Sequence, residues 1–190
     1  MKHSSSYHQT PEQIDYESKI IERSKTDPNQ FRPIYDKYFG QIMQYVYNRL
    51  DDKSMAADIA QQVFLKALKN LAKYQSRGLP FSSWLYRIAS NELNSVFRKN
   101  AKLKTINLSN AVVNTLQEEM PDEDLIEKIS LLKKIIKQLK ESDYRLIELR
   151  FFEGRPFKEI SEMLEITENN AKVKTYRALD KLREMLVTTH

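Results

Sequence analysis

Apolar side chains recur at steps of three and four residues through much of the first half of the chain. This spacing places side chains on one face of an α-helix. The clearest stretch comprises Phe31, Ile34, Tyr35, Tyr38, Phe39, Ile42, Tyr45, Val46 and Leu50. It predicts an amphipathic helix that ends near Leu50. The same periodicity predicts two more long helices, over about residues 54–71 and 81–100.

Polar residues between these stretches indicate where the helices begin. Asp27 followed by Pro28 is typical of a helix start, because an acidic N-cap accepts backbone N–H groups and proline tolerates the first helical position. Ser54 is the expected cap of the next long helix. We also expect a short helix over residues 13–24 and a disordered lead over residues 1–12.

The helical periodicity fades between about residues 101 and 122. Asparagine and serine scatter through this segment, and its two ends carry opposite charge. A structureless segment of this length is unusual inside one compact domain, so the pattern favours two domains. We expect a first domain over residues 13–101, a flexible linker over residues 102–122 and a second domain over residues 123–190.

Four shorter apolar stretches predict the helices of the second domain, which begins near Asp124. Ser142 is the expected cap of the second of these helices, and Gly154 is expected to end it. Pro156 opens the third. Thr167 or Asn169 caps the last, which should run to about Leu186.

The segment from Phe157 to Leu182 has the spacing of a helix-turn-helix: a short helix, a tight turn and a second helix that can enter the major groove of DNA. The turn often requires a positive φ, a conformation that favours glycine. Glu165 occupies that place, at a cost of about 1 kcal/mol relative to glycine.

The predicted fold is all-α, with two small helical domains joined by a flexible linker. Only three glycines and six prolines interrupt the 190 residues, and there is no cysteine. The three histidines, His3, His8 and His190, lie in the terminal segments. A positioned imidazole or thiolate is therefore not expected. We predict no catalytic residues, no metal site, no cofactor and no enzymatic activity.

The formal net charge of +5 and the isoelectric point near 9.2 favour contact with polyanions, although many basic proteins never bind nucleic acid. No apolar run approaches the ~20 residues that span a bilayer. The first ten residues are polar and lack the apolar core of a secretion signal. We therefore expect a soluble, cytoplasmic protein without membrane insertion.

The last predicted helix carries polar side chains that suit DNA. Its expected outward face holds Glu168, Asn169, Asn170, Lys172, Lys174, Thr175 and Arg177. Asparagine, lysine and arginine read base edges in the major groove or bind phosphates. A helical hairpin with a solvated charged face fits the same periodicity, so the pattern alone leaves DNA binding open.

The last long helix of the first domain combines aromatic and basic side chains. Aromatic rings can stack on unpaired bases while neighbouring cations neutralise phosphates. Trp84 is expected in the core, because a tryptophan on an apolar helical face is usually buried. Tyr86, Arg87, Asn91 and Arg98 fall elsewhere on the helix and are the better candidates for contact.

Three stretches together resemble the extracytoplasmic-function (ECF) group of bacterial RNA polymerase sigma factors. They are DIAQQVF at residues 58–64, WLYRIASN at residues 84–91 with Arg98, and Glu159-Ile160 followed by KVKTYRA at residues 172–178. Their order and separation also match, so the resemblance covers about residues 13–187. Each motif alone is weakly specific, whereas the ordered set is strongly specific.

The first domain resembles the helical bundle of sigma region 2, and the resemblance implies roles for particular side chains in it. Asp58, Gln61 and Gln62 would dock on the clamp helices of the largest polymerase subunit. The loop over residues 74–80 would resemble the pocket that captures a base flipped from the minus-10 element. The implied minus-10 contacts are Tyr74, Arg77, Arg87, Asn91, Arg98 and Lys99.

The second domain resembles sigma region 4, whose last helix reads the minus-35 element. The implied contacts are Asn169, Asn170, Lys172, Lys174, Thr175 and Arg177. The expected partners are core RNA polymerase and promoter DNA, and the expected function is promoter recognition, DNA opening and transcription initiation at a specific regulon. By family analogy alone, an anti-sigma factor that masks both domains is the expected regulator.

The chain departs from the family pattern at four positions. Ser95 stands where the family often has aspartate, and Ser161 where it usually has alanine. Pro156 replaces a capping serine, and Glu165 replaces the glycine of the turn. These departures bear on the promoter sequence rather than on the class of protein.

Two other functions compete with this interpretation. A stand-alone helix-turn-helix regulator would explain the second domain but not the motifs of the first. A helical adaptor with basic faces for an acidic protein would show no steep salt dependence of DNA binding. An enzyme ranks third, because the chain has no glycine-rich phosphate loop.

Overall fold

The structure is a computed structural model that describes residues 9–50, 52–100, 103 and 129–188. All regular elements of this described part are helical, as the sequence predicts. The described residues divide into two compact units, residues 9–103 and residues 129–188. Most of the expected linker and residues 1–8 of the expected lead lie outside the described residues.

The first unit contains four α-helices: α1 (Pro11–Ser24), α2 (Arg32–Leu50), α3 (Lys53–Asn70) and α4 (Phe81–Lys99). Helix α1 begins two residues before the predicted start. Thr10 and Gln13 explain this, because they form a capping box: the Gln13 N–H donates to Thr10 Oγ1 (3.3 Å), and the Thr10 N–H donates to Gln13 Oε1 (2.9 Å).

Aspartates rather than serine cap the next two elements. The Asp27 carboxylate accepts the Asn29 N–H (3.0 Å), and this bond holds the pKa of Asp27 below its ordinary value. The first turn after it is a 3₁₀ turn, so α2 starts only at Arg32. The prediction of Ser54 as a cap is wrong, because Asp52 accepts the Met55 N–H (2.9 Å) and starts α3 earlier.

The core of the first unit is rich in aromatic side chains. Phe31 lies edge-on to both Phe81 (ring centroids 5.9 Å apart) and Phe64 (6.4 Å). The stripe of α2 that the sequence predicts is buried except at Tyr35 and Phe39, which are half-buried. These two rings nevertheless pack on Phe64 at the edge of the core.

A buried carboxylate ties three helices of this unit together. Glu17 of α1 is 2% exposed, and its Oε1 accepts bonds from Tyr38 Oη (2.5 Å) and Lys37 Nζ (3.0 Å) of α2. Its Oε2 accepts the backbone N–H of Phe81 (2.7 Å), the first residue of α4. Pro80, which precedes α4, offers no capping side chain. Glu17 therefore caps α4 from a different helix, where a negative charge is favourable.

The second unit contains α5 (Ile129–Gln138), α6 (Glu141–Ile147), α7 (Phe157–Leu164) and α8 (Glu168–Thr188), and a π-helical turn (Glu148–Phe152) continues α6. Its core is made by Leu132, Ile135, Ile136, Leu139, Tyr144, Ile147, Phe151, Ala178, Leu179, Leu182 and Leu186. The prediction of Ser142 as the cap of α6 is wrong, because Lys140 occupies the N-cap position and makes no side-chain bond there.

The turn between α7 and α8 has the predicted left-handed backbone. Glu165 adopts φ 55° and ψ 43°, and among the described non-glycine residues it alone has a positive φ. Thr167 then caps α8, since its Oγ1 accepts the Asn170 N–H (3.2 Å). Gly154 also has a positive φ (61°) where the helix before α7 ends. The turn chemistry expected from the sequence is confirmed at both places.

We expect Glu165→Gly to stabilise the second unit by about 0.5 kcal/mol, because the left-handed strain exceeds the extra chain entropy that glycine gives the unfolded state. Hydrogen exchange of peptides from residues 157–188 in the full chain would report the change. Gly154→Ala is the matched control and should destabilise the second unit, because it introduces a Cβ at a positive φ. Faster exchange in Glu165→Gly would contradict the prediction.

Candidate nucleic-acid interface

The side chains predicted to dock on polymerase share one exposed face of α3. Asp58, Gln61 and Gln62 are all exposed and follow the i, i+3, i+4 spacing of one helical stripe. The opposite face is buried and includes Ala60, Val63 and Phe64. Phe64 is therefore a core residue, as expected. The three polar side chains are free to contact a partner together.

An apolar residue that the sequence analysis missed completes this face. Leu65 lies one turn after Gln61 and Gln62 and is 50% exposed. A leucine out of phase with the buried stripe of its own helix is the signal that could have identified it. Together, Asp58, Gln61, Gln62 and Leu65 form what we call the α3 face: polar groups around one accessible apolar side chain.

Helix α4 presents a second stripe of polar and basic side chains. Arg87, Asn91 and Arg98 follow one another at steps of four and seven residues, so they lie on one face of the helix. Asn91, Arg98 and Lys99 are exposed, whereas Arg87 is half-buried. The predicted basic end of α4 is thus accessible.

The loop before α4 holds the other two predicted minus-10 residues in different environments. Arg77 is exposed, next to Gly78 with its positive φ of 68°. Tyr74 is half-buried, and its ring centroid lies 4.9 Å from those of both Phe81 and Trp84. Trp84, expected in the core, is half-buried at this site. The three rings fix the base of the loop against the start of α4.

Tyr86 is not available for contact, contrary to the expectation. It is 1% exposed, and its ring centroid lies 4.7 Å from that of Tyr45 on α2. The expectation assumed a single buried stripe on α4. In the fold, α4 packs on both α2 and α3, so its buried face is wider than one stripe.

The exposed face of α8 carries most of the predicted minus-35 residues. Asn169, Asn170, Lys172, Lys174 and Arg177 are all exposed. The face directly opposite is buried and is formed by Ala171, Ala178 and Leu182 with their neighbours. Over residues 169–177, helix α8 therefore has a buried face against its own unit and an amide-rich, cationic face toward solvent.

Thr175 is an exception, and its placement on the outward face is wrong. Its side chain is fully buried, and Oγ1 donates to the Ala171 carbonyl (2.7 Å). A threonine can satisfy its hydroxyl on the backbone of the preceding turn, which lets it enter the core. It therefore packs α8 against the unit and does not face a ligand.

Two rings and a guanidinium support the exposed face of α8 from the side. Phe157 at the start of α7 contacts Tyr176, with ring centroids 6.1 Å apart. The guanidinium of Arg150 lies 4.8 Å from the Phe157 centroid and donates to the Arg155 carbonyl (3.1 Å). These contacts restrict Tyr176, which is 40% exposed.

A metal site and a membrane span each place a requirement on the described ranges. No group of three acidic or histidine side chains there could hold a metal ion. None of the helices in those ranges is long and apolar enough to cross a membrane.

Comparison with known families matches both units. Residues 34–103 match Sigma-70 region 2, and residues 129–182 match Sigma-70 region 4. The two matches contain the α3 face, the α4 stripe and the exposed face of α8.

Several curated sigma factors are similar to this chain over most of its length. The ECF RNA polymerase sigma factor BldN of Streptomyces coelicolor is 25% identical over 88% of this chain and 65% of its own length. SigW of Bacillus subtilis is 29% identical over 88% of this chain and 95% of its own length. ShbA of Streptomyces griseus is 30% identical over 73% of this chain and 76% of its own length.

The fold also matches a solved structure, that of CnrH in complex with the cytosolic domain of CnrY. The TM-score is 0.61 at 15% sequence identity, and the match covers 90% of this chain and 97% of the other. The family is one of transcription initiation factors and not a class of enzymes. With both sigma regions matched in order and relatives aligned over most of the chain, this protein belongs to the ECF group of RNA polymerase sigma factors.

Proposed function

We propose that this sigma factor binds core RNA polymerase through the α3 face and contacts promoter DNA through α4 and α8. The observation that carries the proposal is the division of α8 into a buried apolar face and an exposed face of amides and cations. A helix with this division can lie in the major groove while its unit stays folded.

Helix α8 is the proposed reader of the minus-35 element. Asn169 and Asn170 lie in its first turn, where the side chains of a recognition helix reach base edges. Lys172 and Lys174 supply cations for phosphates, and Arg177 supplies one for a phosphate or a guanine edge. Thr175 is left out because it is buried.

Helix α4 and the loop before it are the proposed minus-10 site. Asn91 offers an amide for a base edge, while Arg98 and Lys99 offer charge for the backbone of an opened strand. Arg77 is exposed on the loop, and Tyr74 is half-buried there with its ring against Trp84. Extruding a base costs a few kcal/mol, so a rigid loop that holds it lowers the cost of opening.

Regulation by an anti-sigma factor is the proposed control. CnrH, which shares the fold, was solved with the cytosolic domain of CnrY bound to it. A partner that covered the α3 face or α8 would compete directly with polymerase or DNA.

We place the protein in the cytoplasm, where chromosome and polymerase are located.

Leu65→Asp tests the docking role of the α3 face. Loss of a buried leucine contact and insertion of a charge should weaken binding to bacterial core RNA polymerase at least about tenfold. Co-elution of the full chain with core polymerase on size exclusion measures this. The parent protein should co-elute at one-to-one stoichiometry.

Tyr16→Asp is the matched control, since it replaces another exposed apolar residue (68%) of the same unit with the same charge. It should co-elute like the parent protein. If Leu65→Asp co-eluted with core polymerase as well as the parent protein does, the α3 face would not be part of the interface. A parent chain that stayed free while still binding DNA would contradict the polymerase-dependent function itself.

A further inference from the structure

Over residues 169–177, the centre of the exposed face of α8 is an apolar side chain, and the acidic Asp180 and Glu184 follow further along the same face. At about 100° per residue, Asn169, Asn170, Tyr176 and Arg177 lie within about 60° of Val173 around the helix axis. The buried Ala171, Thr175, Ala178 and Leu182 lie on the far side. Val173 is 38% exposed and lies opposite the buried Leu182 around the helix axis.

The two lysines next to Val173 lie on the flanks of this face. Lys172 and Lys174 are each about 100° from Val173 around the axis, in opposite directions. When such a helix lies in the major groove, the centre of its face points at the base edges and its flanks point at the two phosphate backbones. The lysines are thus placed for phosphates and Val173 for bases.

Helix stability does not account for valine at this position. A β-branched residue on an exposed helical face is less favourable than alanine by about 0.5 kcal/mol. Val173 is also not part of the buried core of the unit. Tyr176 lies one turn further along and is held by Phe157. Val173 and Tyr176 together make a short apolar strip in the middle of a polar face.

We propose that Val173 reads a thymine in the minus-35 element through the 5-methyl group of that base. This proposal rests on the proposed function of α8 and adds a specificity determinant to it. The thymine methyl is the apolar group that the major groove displays, and small apolar side chains contact it. The methyl contact selects thymine over the other bases at one position, while the flanking lysines bind without regard to sequence.

Deoxyuridine tests this contact, because it keeps the base-pairing edge of thymine and lacks only the methyl group. Holoenzyme made from the full chain and bacterial core polymerase first selects a preferred minus-35 sequence from a randomised promoter library. Each preferred thymine, on either strand, is then replaced by deoxyuridine. One replacement should lower promoter affinity about threefold to fivefold, the value of one buried methyl group.

Val173→Ser should abolish that thymine preference, with affinities for the thymine and uracil promoters becoming equal. Serine has a helix propensity close to that of valine, so the variant is expected to fold. Val187→Ser is the matched control: Val187 is 73% exposed on the same helix, and its loss should leave the preference unchanged.

The outcomes separate the two proposals. A selected minus-35 sequence without thymine on either strand overturns the role of Val173. Equal affinities of the parent protein for the thymine and uracil promoters would also overturn it. A thymine preference that persisted in Val173→Ser would do the same. Failure of the holoenzyme to select any minus-35 sequence overturns the proposed function of α8 as well.

Discussion

Glu17→Ala is expected to destabilise the first unit by about 3 kcal/mol, because it leaves buried donors without their shared acceptor. The buried donors are the Phe81 N–H and the Tyr38 hydroxyl, and the exposed Lys37 ammonium loses its ion pair as well. Glu17→Gln keeps an acceptor oxygen but loses the charge, so its effect should be about half as large.

Fluorescence reports this change selectively. Trp84 is the single tryptophan of the chain and packs on Phe81 beside the Glu17 contact. Urea unfolding followed at Trp84 therefore measures the first unit alone. Glu22→Ala is the control, because Glu22 lies on the same helix in an exposed pair with Lys25 (2.6 Å) and should change stability by less than about 0.5 kcal/mol. Equal midpoints for Glu17→Ala and the parent protein would show that Glu17 does not hold α4.

The double variant Lys172→Ala, Lys174→Ala should lower promoter affinity about tenfold at physiological salt by removing two phosphate contacts. The slope of log affinity against log salt should become less steep by about 1.8, since each phosphate contact contributes about 0.9. Fluorescence anisotropy of labelled promoter DNA with the holoenzyme, across a salt series, measures both quantities.

Lys181→Ala provides the comparison for this variant. Lys181 lies two turns after Lys174 on the same helix, but its ammonium pairs with Asp143 (2.6 Å). It should leave the salt slope unchanged. A double variant with the slope of the parent protein would show that the two lysines contact no phosphate.

Hydrophobic periodicity predicted the helices well, because burial of one face dominates the stability of an amphipathic helix. Caps were predicted less well. Asp52 rather than Ser54 starts α3, and Lys140 rather than Ser142 precedes α6. Several neighbouring residues can cap a helix, and packing of the helix body decides which of them meets the first turn.

The candidate interface was predictable where a side chain had to face away from a single buried stripe. Asp58, Asn91 and Lys172 are exposed for this reason. Tyr86 and Thr175 were misplaced because each can enter a core, one through its large apolar ring and the other by bonding its hydroxyl to the backbone. Periodicity assigns polarity to a face but does not give the width of that face.

Buried charge was the feature least visible in the sequence. Glu17 and Arg49 have charged side chains, which are usually exposed, yet both lie in the core of the first unit. Arg49 donates to Tyr45 Oη (3.2 Å), and its guanidinium lies 5.7 Å from the Phe97 ring of α4. Tyr45 is on the same helix as Arg49, but Phe97 and the partners of Glu17 are distant in the chain and reach these charges only after the helices pack.

By itself, the sequence determined the helices, the left-handed turn at Glu165 and the membership of the ECF group, because these depend on residues close together in the chain or on ordered motifs. Only the tertiary structure decided that Glu17 caps α4, that Leu65 joins the α3 face and that Val173 stands at the centre of the exposed face of α8. Each of these depends on which sides of a helix its neighbours cover. That coverage is a property of the packed unit, since residues far apart in sequence compete for the same buried surface.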